Sequence, residues 1–283
     1  MMTSLLSDDT ALFSSRYGAT LSYLRHKISK ISGSTGVIFT PNTYPDVATA
    51  ILACPCNSYM VDIEPDSELP HADQVAELLD TVEDDHIILV VSQVAPQFLR
   101  KKLIDLEDKF EVLYVSNDLW RLGAKGINSL SPVATGAVYS GDLATAGALR
   151  YNSTNPVGGD YTAITPEQLD IVTCAGSVAE ARAAVAKAVQ SAKEAGLSPL
   201  SLHSSTLTFA ISEALQRIET LRAAGYSVGS PVTPLHRLLQ TVVPEDYPNA
   251  ECFVQNHLSI SSDVDDQELS EVLQALIEPT EVT

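Results

Sequence analysis

Aromatic side chains are scarce. One Trp, six Phe and ten Tyr make up 6% of 283 residues, so the core must consist mainly of Ala, Val, Leu and Ile. Basic side chains are scarce too. Seventeen Lys and Arg face 36 Asp and Glu, for a net charge of −19. Nucleic acids and anionic membrane surfaces are held by clustered cations, so both are excluded as partners. The acidity reads as a solvated surface, as in "SSDVDDQELSEV". Cysteine is limited to Cys54, Cys56, Cys174 and Cys252. One residue separates the thiols of "CPC", and no Cys/His pair has zinc-finger spacing, so no metal is expected and the thiols read as reduced and buried. Long apolar runs are also missing. No segment approaches the roughly 18 residues of a membrane-spanning helix. The start, "MMTSLLSDDTALF", lacks the basic residues and apolar stretch of a signal peptide. The expectation is a soluble, cytoplasmic protein.

What the chain does have is alternation. Apolar residues are 45% of the total, enough for a sizeable core. "GATLSYLRHKISKI" (18–31) carries apolar residues at helical spacing. "VIFTP" (37–41) is a short strand, "YPDVATAILAC" a helix with Pro45 in its first turn, and "NSYMVDIEP" a strand. "HADQVAELLDTV" is helical, "HIILVVSQVA" (86–95) a buried strand, "QFLRKKLIDLEDKF" a helix and "EVLYVSND" a strand. Short apolar strands alternating with helices predict a mainly parallel sheet covered on both faces.

Beyond residue 150 the texture changes. "YNSTNPVGGDYTAITP" is rich in turn formers, and "SVAEARAAVAKAVQSAKEAG" (177–196) is an Ala-rich helix stopped at Gly196. "SPLSLHSSTLTFAI" alternates like a strand. "SEALQRIETLRAAG" reads as a helix capped by Ser212 and ended by Gly225, "YSVGSPV" as a strand and "DQELSEVLQALIE" as a last helix. The predicted organisation is a large αβα unit over 1–175 and a small α+β unit over 176–283, with helix 177–196 as connector.

Several segments together resemble the DegT/StrS-type aminotransferases, pyridoxal-phosphate enzymes that aminate keto-sugars on nucleotide carriers. These are "GVIFTPNTYPDVATAILACPCNSYMVDIEPDSELPHADQVAELL", "NDLWRLGAKG", "GAVYSGDLATAGALRYNSTN" and the C-terminal run from "LRAAGYSVGSPVTPLHRLL" to "LSISSDVDDQELSEVLQAL". No single piece is specific. Their order from about Phe13 to Ile277 carries the resemblance. It implies the three-layer fold of the aspartate-aminotransferase class, a homodimer, and a nucleotide-sugar ligand.

Pyridoxal-phosphate transamination needs a lysine that forms the internal imine, a carboxylate that keeps the pyridine nitrogen protonated, an aromatic ring stacked on the cofactor, and backbone amides that hold the phosphate. The resemblance places the phosphate cradle at Ser14, Ser15 and Arg16, where a serine could equally be a helix cap. Tyr44 matches the stacking aromatic, and would otherwise pack a loop onto its helix. Asn117 stands where the carboxylate belongs. Trp120 falls on a position of the cleft where the family carries a small polar residue or His. His236, in "TPLHRL", matches a position near the sugar cleft or serves the turn itself. Lys125 stands alone in "KGINSLSPVAT", a bridge about fifteen residues shorter than the family's lysine loop, and Lys187 lies on the Ala-rich helix. His26, His71, His86, His203 and His257 show no ligand spacing, and "LHSSTL" lacks a nucleophile elbow.

Two expectations follow. One is a non-catalytic relative with no cofactor, which binds a nucleotide sugar or an active partner aminotransferase. The other is an active enzyme that uses Lys125 and Asp118 with pyridoxal phosphate.

Overall fold

A computed structural model describes residues 8–65, 67–92, 101–116, 126–129, 135–154, 171–199, 201–202, 206–231, 233–238, 246–261 and 264–277. Asn117, Asp118, Trp120 and Lys125 lie outside them.

The first sheet has seven strands: β1 (Thr10–Ser15), β2 (Thr35–Phe39), β3 (Asn57–Met60), β4 (His86–Ser92), β5 (Glu111–Ser116), β6 (Gly126–Ser129) and β7 (Thr135–Ser140). Their spatial order is β1-β7-β6-β5-β4-β2-β3. The pairings among β3, β2, β4, β5 and β6 are parallel, and β7 runs antiparallel to both β6 and β1. The helices around it are α1 (Arg16–Ser29), α2 (Pro45–Leu52), α3 (Ala72–Thr81), α4 (Lys101–Ile104) and α5 (Leu143–Thr154).

The three layers follow from side-chain alternation along buried strands. Ile88 and Val90 of β4 join a core with Leu21 and Leu24 of α1, Val47 and Ile51 of α2, and Leu149 of α5. Ile87, Leu89 and Val91 of the same strand enter a second core with Val75 of α3 and Leu103 of α4. This is the expected mainly parallel αβα sheet.

The C-terminal half builds a second, antiparallel sheet in the order β10-β11-β9-β8. Its strands are β8 (Ser201–Leu202), β9 (Thr206–Ala210), β10 (Val228–Gly229) and β11 (His257–Ser261). Leu207, Phe209, Leu258 and Ile260 pack on α6 (Ile171–Glu194), α7 (Ala214–Ala223) and α10 (Asp266–Ile277). Two further helices, α8 (Leu235–Leu238) and α9 (Pro248–Gln255), complete the chain. No described helix is long and apolar enough to cross a membrane.

Several expectations are corrected. The Ala-rich helix spans 171–194 rather than 177–196, because "IVTCAG" continues it backwards. Its stop is as expected: Gly196 has φ 79°, with the Leu197 amide reaching back to Ala192 O. Ser212 is not the cap of α7. Glu213 holds that position at φ 57° with no side-chain cap. The run "KGINS" is not only a bridge, since residues 126–129 pair with both β5 and β7 as strand β6. The thiols are not uniformly buried either. Cys54 is buried, Cys56 half-buried and Cys252 exposed.

Candidate functional site

The amino halves of β2, β4, β5 and β6 point one way, so their carboxyl ends form one edge of the sheet. Strand β1 reaches the same edge, because its antiparallel partner β7 starts there, with Ser15 opposite Thr135. In open α/β sheets ligands bind beyond the carboxyl ends of the strands. Small polar residues stand at or just after these strand ends: Ser15, Thr40, Ser92, Ser116 and Ser129. All but half-buried Ser15 are buried. Among the described residues, the hydroxyls of Ser92 and Ser129 and both amide atoms of buried Asn42 have no hydrogen-bond partner. Buried polar groups are nearly always paired, so these atoms are candidates for contact with a ligand.

Alpha-helix α1 begins at this edge. Ser15 Oγ accepts the amide of Gly18 at 3.1 Å and so caps the helix. Ser14 is exposed. Arg16, next in sequence, turns inward and is only 6% exposed. Its Nε donates to Asp46 Oδ2 at 2.9 Å and its Nη2 to Asp46 Oδ1 at 2.7 Å. Such a two-pronged pair uses the planar fork of the guanidinium on one carboxylate. The same guanidinium lies over the ring of Tyr44, 3.7 Å from its centroid. Arg16 Nη1 is buried without a partner among the described residues. Tyr44 precedes α2, whose first position is Pro45, and Asp46 follows in the first turn. The α1 and α2 starts are thus tied together by one arginine.

His236 belongs to a second cluster beside this edge. The amide of Leu235 donates to Pro41 O at 2.7 Å, which sets α8 against the loop after β2. The His236 side chain is fully buried, with Nε2 2.5 Å from Glu251 Oε1 and its ring stacked on Tyr247 at 5.4 Å between centroids. Arg237 pairs with both oxygens of Glu251. Hydrogen bonding from Arg237, together with that from His236 and against the opposing effect of burial, lowers the Glu251 carboxyl to about 2. His236 therefore braces α8 on α9, and its Nδ1 has no partner among the described residues.

Four lysines elsewhere are paired: Lys27 with Glu111 at 2.7 Å, Lys109 with Asp80 at 3.3 Å, and Lys102 and Lys187 with Asp73 and Asp266. Among the described residues there is no group of three or more His, Cys, Asp or Glu that could hold a metal.

Among the described residues, those the resemblance sets at the cofactor do not fit pyridoxal phosphate. Ser15 is spent on its own helix, and Arg16 covers one face of Tyr44. Asp46, Asn42, Ser92 and Ser129 were not singled out from the sequence. For Ser92 the signal was there, in that the apolar run "HIILVVS" ends on it.

No family model matches the chain, and neither does any curated protein. Solved structures do match. Spr1654 of Streptococcus pneumoniae in its PLP form superposes with a TM-score of 0.70 at 14% identity, covering 94% of this chain and 86% of that one. A DegT DnrJ EryC1 StrS aminotransferase from Brucella abortus gives 0.69 at 13%, covering 94% and 84%. PseC of Helicobacter pylori, an aminotransferase of pseudoaminic acid biosynthesis, gives 0.70 at 14%, covering 94% and 85%. The chain therefore shares the fold of these sugar aminotransferase structures.

Proposed function

We propose that the chain is a non-catalytic relative of the sugar aminotransferases, which binds rather than transaminates. Its ligand is a nucleotide sugar, or its partner an active aminotransferase subunit, in nucleotide-sugar or polysaccharide metabolism, and it acts as a homodimer. One observation carries the reading. Arg16, clamped by Asp46, lies on Tyr44 where the resemblance puts phosphate cradle and stacking aromatic side by side. Asn117 in place of a carboxylate and the short "KGINSLSPVAT" run support it.

The test is an absorbance spectrum of purified protein with excess pyridoxal phosphate. Wild-type protein stays without the visible band of a lysine-bound cofactor. A band that borohydride abolishes and that Lys125→Ala removes would establish the active alternative through Lys125 and Asp118. A melting shift with nucleotide sugars, absent with free pyridoxal phosphate, measures the binding role.

A further inference from the structure

We infer that Arg16 is a built-in occupant of the cofactor position, an intramolecular stand-in that keeps the site folded and closed to pyridine-type ligands. The inference rests on the non-catalytic reading above and goes further, since loss of a lysine would not by itself close the site.

The direction of the arginine fork is the first argument. An arginine that serves an external anion presents its paired N–H groups to the ligand. Here the pair Nε and Nη2 is turned on Asp46 of the same chain, at 2.9 and 2.7 Å. Only Nη1 is left over. The second argument is the stack. A guanidinium is flat, delocalised and cationic, as a protonated pyridine ring is, and covers a phenol face in the same way. Its Cζ lies 3.7 Å from the Tyr44 centroid. The third is charge. A pyridinium needs a carboxylate beside it, and Asp46 supplies one to the guanidinium instead. Arg16, Tyr44 and Asp46 thus reproduce within one chain the cation, aromatic face and counter-charge of a held cofactor. A buried cation persists only where such partners are in place.

Pyridoxamine phosphate is the suitable probe, because its amine cannot form an imine with any lysine. Binding is measured by calorimetry on full-length wild type, Arg16→Ala and Asp46→Asn. Wild type shows no saturable binding. Arg16→Ala gains affinity by about tenfold or more, and Asp46→Asn, which frees the guanidinium, gains less. Arg16→Gln keeps most of the stem without the charge and carries the same expectation if Arg16→Ala does not fold. Tight binding by wild type, or no gain in any variant, overturns the inference. A colourless wild type that binds the probe tightly overturns only this inference, whereas a borohydride-sensitive band in wild type overturns the non-catalytic reading beneath it.

Discussion

The carboxylate of Asp62 accepts the backbone amides of Asn249 and Ala250, at 2.8 and 3.0 Å, from the far end of the chain. It also accepts its neighbour Ile63 N at 2.8 Å, and Asn249 returns a side-chain bond to Ile63 O at 2.8 Å. An aspartate wholly out of solvent therefore satisfies the free donors at the start of α9. Asp62→Ala leaves those amides buried and unpaired, and is expected to cost about 2–3 kcal/mol. Asp62→Asn, which keeps one acceptor, costs about half as much by the same argument. Urea titration of the three proteins measures both.

Glu251 gives the clasp between α8 and α9 a pH dependence of known sign. Its carboxyl is depressed in the folded state by Arg237 and His236. The stability it contributes is complete above the unfolded value of about 4.3 and is lost as pH falls from there towards about 2. Melting temperatures of wild type and Glu251→Gln should converge across that window and separate above it, with the wild type higher.

Gly126 and Gly196 both have positive φ, at 123° and 79°, but for different reasons. A Cβ at Gly126 would lie 2.4 Å from the carbonyl oxygen of Tyr114 on β5, whereas nothing lies within 4 Å of one at Gly196. Gly126→Ala must push neighbouring strands apart and is expected to cost about 2–3 kcal/mol. Gly196→Ala carries only the left-handed backbone penalty of about 1–2 kcal/mol. Thermal melts of the two variants should rank them in that order.

Ser15 and Ser14 separate a cap from a cradle. Ser15→Ala removes the acceptor for Gly18 N and should lower stability by about 1 kcal/mol. Ser14→Ala, at an exposed position, should stay within about 0.5 kcal/mol of wild type. Adding phosphate should leave that difference unchanged.

The large sheet was legible because its central strands are unbroken apolar runs. "HIILVVS" has to be buried on both faces, and the helices between the strands show clear apolar periodicity. Strand β6 was not legible: "GINS" has a single large apolar residue, and it becomes a strand only through partners on both sides. Strand β1 was missed for a related reason, since its only partner is β7. Tertiary pairing overrides weak local preference in such segments. At the site, Arg16 and Tyr44 were found by position, yet their stacking depends on Asp46, which reads in sequence as an ordinary first-turn acid. Side-chain direction is the part that a motif does not encode.

Strand β1 closes one margin of the large sheet against β7, with Thr10 opposite Ser140. Its consequence is one of timing during synthesis. β1 is made before β7, and among the described residues it has no strand partner until β7 has followed. β2, β4 and β5 pair with nearer neighbours and can assemble earlier. Non-local closure of this kind slows folding and leaves an open strand margin exposed meanwhile. A chain interrupted before β7 would lack the pairing that closes this margin, and would keep β1 as an unpaired strand.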